Sequence, residues 1–166
     1  MNHRHRSTTA TILALALTAL LGGALVAQGQ PIDTAAGEAL YGQHCAACHQ
    51  PNGEGIPTVF PPLAGHVPEL LAVEGGRTYP ILVVHYGLAG PIVVHGQAYD
   101  GLMPPIQALG DEEIAALLNY VATAWGHAEE LDPEFVPYGA EDVAAERDRG
   151  LTMADVHAIR QALPLE

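Results

Sequence analysis

The sequence predicts a mainly α-helical domain with one small β-hairpin and a helical C-terminal extension. Apolar residues recur at helical spacing in several stretches, β-branched residues cluster in one short run, and a Pro/Gly-rich segment separates the first helix from the rest. A leader comes first. Arg4 and Arg6 make a short basic start, an apolar run over residues 10–27 follows, and Ala27 and Gly29 offer a small-x-small junction, so residues 1–30 read as an export signal peptide. At about 18 residues the run sits at the lower limit for crossing a bilayer, which keeps an uncleaved anchor as the alternative. Residues 31–127 are then the main domain, and residues 128–166 are the extension packed on it.

The first helix is expected from Asp33 or Thr34, either of which can cap it, through Gly37, Leu40 and Tyr41 to residue 49. Residues 50–65 hold Pro51, Gly53, Gly55, Pro57, Pro61 and Pro62 and read as an ordered loop. Pro68 opens a short helix to residue 73, and a second covers residues 78–86. Ile92, Val93 and Val94, followed by His95 and Gly96, place a hairpin over residues 91–99. The clearest helix spans residues 111–125, where Ile114, Leu117, Leu118, Val121, Ala122 and Trp125 form one stripe, and Asp111, Glu112 and Glu113 suit its positive end. Two amphipathic segments, 140–149 and 152–163, complete the chain.

Cys45, Ala46, Ala47, Cys48 and His49 spell C-x-x-C-H. On a helix the two sulfurs and the imidazole stand at i, i+3 and i+4 and share one face. That spacing is the attachment signature of a covalent c-type haem: two thioethers tether the porphyrin, and the adjacent histidine reaches the iron. A structural zinc site would need four closed ligands, and only two cysteines exist. A thioredoxin-like pair would sit beside a βαβ pattern, which is not visible around residue 45. A disulfide in an exported protein stays open, but it has no use for the following histidine.

Charge bounds the partners. The formal net charge is −13, and removing Arg4 and Arg6 with the leader takes it to −15; there is no lysine. Nucleic acid and anionic membranes reward positive charge, so neither is an expected partner; membrane contact is limited to the leader or to partner complexes. The acidity by itself accounts for solubility, and a monomer is expected.

After the leader, Met103 and Met153 are the methionines. Met103 follows a glycine-containing turn and precedes Pro104 and Pro105, which restrict its backbone and can hold its thioether in a fixed direction over the haem. Met153 sits early in an amphipathic helix, where methionine commonly fills core space. Met103 is therefore the candidate sixth iron ligand, against the alternative that it packs. His66, His85 and His95 are the histidine alternatives: His66 precedes a helix and suits a surface or propionate hydrogen bond, and His85 reads as a core histidine. A His/Met pair raises the reduction potential and leaves no open coordination site, which disfavours catalysis at the iron.

Phe60, Pro61, Pro62, Leu63, Ala64, Gly65 and His66, placed between C-x-x-C-H and Met103, make the chain resemble a class I cytochrome c. With Gly75, Gly76 and Arg77, residues 99–103 and residues 111–125, it is similar to the periplasmic group in Thermus-type bacteria that donates electrons to a ba-type terminal oxidase. The resemblance implies thioether attachment at Cys45 and Cys48, iron ligation by His49 and Met103, and a carbonyl of the Pro61–Pro62 turn accepting the His49 N–H, where plain loop stiffening is the alternative. It also implies that Gly37 and Tyr41 cross the helix carrying Leu117 and Tyr120, and it makes Arg77 and Tyr79 candidates for a haem propionate. The chain departs from the lysine-rich pattern of that group, which bears on docking and leaves the haem chemistry untouched.

The expected function is a periplasmic, non-enzymatic one-electron carrier in the respiratory chain, with a quinol-oxidising complex as donor and a terminal oxidase as acceptor. A haem enzyme or sensor with an open iron, such as a peroxidase or gas-binding cytochrome, is one alternative; a haem subunit docked in a redox complex is the other.

Overall fold

The computed structural model describes residues 34–165; the leader and the Asp33 cap lie outside the described residues. Helix α1 (Ala35–His44) runs into a one-turn helix α2 (Ala46–His49), with Cys45 between them. The backbone hardly breaks there: the Cys45 N–H donates to the Tyr41 carbonyl at 2.9 Å, and the His49 N–H donates to the Cys45 carbonyl at 2.9 Å. Gln50, at φ +64°, ends the run. Gly37 lets α1 lie on α5 (Asp111–Thr123), because a Cβ there would stand 2.7 Å from the Tyr120 Cβ and closer still to the Ala116 carbonyl.

The loop over residues 50–65 is ordered by its own backbone. Leu63 and Ala64 N–H groups donate to the Gly53 carbonyl at 2.7 and 2.9 Å, and Ile56 forms an isolated antiparallel bridge with Phe60. Helix α3 (His66–Leu71) follows. It starts two residues before Pro68, since proline is tolerated anywhere in the first turn, where N–H groups lack intrahelical acceptors. Helix α4 (Thr78–Tyr86) matches its expected span. His85 does not match a core histidine: it is half-buried and accepts from Arg147 Nη1 at 3.3 Å.

The hairpin is longer than its β-branched run. Strand β1 (Leu88–Val94) pairs antiparallel with β2 (Gln97–Met103), Leu88 opposite Met103, through a two-residue turn in which His95 and Gly96 have φ of +49° and +75°. Gly101 is thus a strand residue, and Met103 is the end of a strand rather than the residue after a turn.

Helix α5 stops at Thr123, two residues short of the expected end, because Trp125 turns to φ +55°. Its ring then packs edge-on to Tyr41 at 5.1 Å and to Tyr120 at 5.9 Å, and its indole N–H donates to the Pro51 carbonyl at 3.2 Å. A 3₁₀ segment (Ala124–Glu129) leads to α6 (Ala140–Arg147) and α7 (Met153–Ala162). Helix α6 packs on α5 and α4; α7 packs on β1 and α4. Two apolar clusters result, one around α1 and α5 (Tyr41, Ile114, Leu117) and one joining α4, the hairpin and α7 (Leu82, Val94, Val156). Among the described residues, no helix is long and apolar enough to cross a membrane.

Candidate haem-binding site

A cavity of about 230 Å³ opens between these clusters, with Leu117 and Val121 on one side and Leu88, Ile92 and Tyr99 on the other. Cys45, Cys48, His49, Pro61, Tyr79 and Met103 all line it. These residues and His66 therefore meet at one apolar space, whereas Arg77 and the alternative histidines His85 and His95 do not line it.

No disulfide joins the two cysteines, of which Cys45 is buried and Cys48 exposed. Burial pushes the Cys45 thiol up to about 11, with Cys48 adding to the rise. A thioredoxin-type nucleophile needs the opposite shift, toward thiolate, which Cys45 does not have.

His49 is buried, and burial holds its imidazole below the ordinary histidine range against the opposing pull of the Pro61 carbonyl. Its Nδ1–H donates to that carbonyl at 2.9 Å, which leaves the Nε2 lone pair available to a metal. The turn presents the carbonyl because Gly55 lies beneath it at φ +65°, where a Cβ would come 2.6 Å from the Pro61 oxygen. The Gly55 N–H in turn donates to the His49 carbonyl at 2.9 Å.

Met103 is fixed from both sides of the chain. Its strand pairs with Leu88, and after Pro104 and Pro105 the Ile106 N–H donates to the Val84 carbonyl at 2.8 Å. Met153 opens α7 and does not line the cavity.

Arg77 turns the other way. Its guanidinium donates to the Val136 and Pro137 carbonyls at 2.5 and 3.2 Å, pairs with Asp142 at 2.8 Å and lies 4.3 Å from the Tyr138 ring centroid. The connection it grips is also held by buried Asn119, which exchanges two hydrogen bonds with the Tyr138 backbone. The expected propionate partner is thus spent on tying the extension to the domain.

Two residues that sequence reasoning passed over matter more. Arg160, on α7, lines the cavity and is 7 % exposed. Its Nη2 donates to the Val93 carbonyl at 3.0 Å, while its buried Nε has no hydrogen-bond partner. Arg77, Arg147 and Arg149 each pair with a carboxylate, so Arg160 is the arginine without one among the described residues. A buried guanidinium facing an apolar cavity fits a ligand that brings its own carboxylate, as a haem propionate does. His127, fully buried, donates from Nδ1 to the Val121 carbonyl at 2.9 Å and accepts the Gly65 N–H at 2.9 Å, pinning the entry of α3 to the end of α5. In the sequence, the apolar surroundings of Arg160 on an amphipathic segment were its one available signal.

Residues 34–125 match the family model for cytochrome c. The chain is 52 % identical over 147 residues to a cytochrome c-552 of Thermus thermophilus, covering 89 % of this chain and 94 % of that protein. A second Thermus thermophilus cytochrome c-552 is 54 % identical over 130 residues, covering 78 % and 98 %. The cytochrome c subunit of a quinone alcohol dehydrogenase from Gluconacetobacter polyoxogenes is 31 % identical over 127 residues, which are 76 % of this chain and 23 % of that one.

Proposed function

Since this chain belongs to the cytochrome c family and carries covalently bound haem c as an electron-transport protein, we propose that it is a periplasmic one-electron carrier with His49 and Met103 as axial iron ligands. Cys45 and Cys48 form the thioethers, Arg160 and Tyr79 face the propionates, and residues 1–30 direct export. The carrying observation is the convergence of Cys45, Cys48, His49 and Met103 on one apolar cavity, with His49 Nδ1 already committed to the Pro61 carbonyl.

The haem supplies the Fe(III)/Fe(II) couple. The chain's work is positional. The Pro61 carbonyl fixes the His49 ring and its tautomer, the Leu88–Met103 pairing holds the backbone that carries the thioether, and the apolar lining of the cavity would keep water off one haem face. Ligands held this firmly would change little between oxidation states, and with both His49 and Met103 on the iron no position would be left for dioxygen or peroxide. Val59 and Leu102, exposed at 50 % and 61 %, lie on the cavity rim and make an apolar contact patch in a chain of net charge −13. Electron-transfer encounters are small, and such a patch suits an acceptor whose docking surface is apolar or basic. We assign the donor as a quinol-oxidising complex and the acceptor as a terminal oxidase.

Absorption spectra of the oxidised and reduced protein test the ligand set. The wild type should be low-spin, show a weak near-infrared sulfur-to-iron band when oxidised, and refuse carbon monoxide at neutral pH. Met103→Ala should lose the band and bind carbon monoxide. An unchanged spectrum in that variant would favour the open-iron enzyme or sensor instead. The dehydrogenase-subunit likeness supports a second reading, a haem subunit docked in a larger complex. Purification as a lone soluble monomer counts against it.

A further inference from the structure

Behind the stretch of cavity wall that His66 lines, three side chains outside the proposed haem-ligand set converge. His66 and Glu69 stand at i and i+3 on α3, and the hairpin turn brings His95 to the same point. Glu69 Oε2 lies 3.2 Å from His66 Nδ1 and 3.0 Å from His95 Nε2. All three donor atoms lie within 4.8 Å of one another, and the two rings meet edge-to-face at 5.7 Å.

The geometry points to a divalent transition-metal site formed by His66 Nδ1, Glu69 and His95 Nε2, with zinc(II) the best-suited ion. Bonds of about 2.0–2.1 Å in a tetrahedral shell separate neighbouring ligand atoms by about 3.3 Å. Two of the observed separations are already within a few tenths of an ångström of that value, so loading needs only the third to close. The donor types choose the metal. Two imidazole nitrogens and one carboxylate suit zinc, whereas magnesium and calcium want oxygen shells. Three protein ligands leave a fourth position for water.

Each ligand is also held where a metal needs it. His66 is buried in the cavity wall and cannot swing away. His95 is aimed by its own backbone: φ of +49° in the turn directs the ring back over Gly65 and α3, and a Cβ on Gly65 would stand 3.6 Å from the His95 ring. Glu69 is half-exposed and bridges the two rings, so its carboxylate can exchange those hydrogen bonds for a metal bond without burying a new charge. The Glu69 carboxylate and the chain's net charge of −13 favour a dication, against the nearby Arg160 guanidinium on the His66 side.

Calorimetric titration of the haem-loaded, full-length protein with zinc chloride, and separately with magnesium chloride, tests the site. Zinc should bind with one more equivalent than in the Glu69→Gln or His95→Asn variants, and magnesium should give no such step. Asparagine tolerates the positive φ of the turn, so His95→Asn removes a ligand without straining the hairpin. His157→Gln, a change at a partly buried histidine hydrogen-bonded to the Pro91 carbonyl and outside the cluster, should keep the site. The zinc K-edge spectrum of the loaded protein should show two imidazoles. Equal zinc stoichiometry in wild type and His95→Asn, magnesium binding as well as zinc, or no zinc step in the wild type would each overturn the assignment.

Discussion

The two walls of the cavity are built on different principles. The wall carrying Cys45, Cys48 and His49 comes from one stretch of chain, and its decisive hydrogen bond, His49 to Pro61, spans twelve residues. The opposite wall is assembled from afar. Met103 is placed by pairing with Leu88, and Arg160 reaches the hairpin at Val93 across 67 residues. The first wall is held by contacts local in sequence, while Arg160 takes its place in the second only through α7 packed on the hairpin.

The sharpest way to break the near wall is Gly55→Ala. The new Cβ would need φ +65° and would press on the Pro61 oxygen, so stability should fall by about 3 kcal/mol and the haem spectrum should be disturbed together with it. Chemical denaturation followed at the haem band and in the far ultraviolet measures both. A stable Gly55→Ala protein with an unaltered spectrum would remove the link between that turn and His49.

Arg77→Ala separates the extension from the cavity. Losing the guanidinium contacts to residues 136, 137 and 142 should cost about 2 kcal/mol in denaturant unfolding and leave the midpoint potential unmoved. Arg160→Leu should do the reverse in character. It leaves the fold intact but lowers the midpoint potential, because a positive charge beside the haem favours the ferrous state. One such charge is worth on the order of 1 kcal/mol, or roughly 40 mV for one electron. Arg160→Lys should restore most of the potential. A larger potential change in Arg77→Ala than in Arg160→Leu would reverse the roles assigned to the two arginines.

The smallest effect concerns the start of α7. Thr152 Oγ1 caps the helix by accepting the Asp155 N–H, and the Asp155 carboxylate accepts back from Thr152. These bonds hold Asp155 below its usual range, so its contribution is present above the unfolded carboxylate pKa and is lost as pH falls through the folded value. Thr152→Ala should lower the melting temperature by a few degrees at neutral pH, with the difference from wild type shrinking in acid.

Legibility followed the same division. C-x-x-C-H, the Pro61–Pro62 turn, α4 and the apolar stripe of α5 were readable because each is a local pattern with a local cause. Met103 was readable as a residue but not as a strand end, since Gly101 suggests a turn until pairing with Gly90 is known. The misplacement of Arg77 has the same origin. Its nearness in sequence to Tyr79 suggests a shared ligand, yet the guanidinium is claimed by Asp142, and the buried arginine at the cavity is Arg160 from the other end of the domain. The end of α5 was invisible for a similar reason: Trp125 fits the helical stripe and is pulled out of it by Tyr41 and Pro51, which only the tertiary fold brings near.

The tight His95–Gly96 turn has a consequence that reaches the far end of its hairpin. It works as a ruler: strand β2 is counted off from that corner, and the count puts Met103 opposite Leu88. Side chains along a strand alternate in direction, so a single residue inserted at the corner would exchange the two faces, sending the thioether out to solvent and Leu102 inward. Under the proposed ligation, the group nearest the metal would thus depend on a loop length, and one inserted codon well away from Met103 would rewrite it.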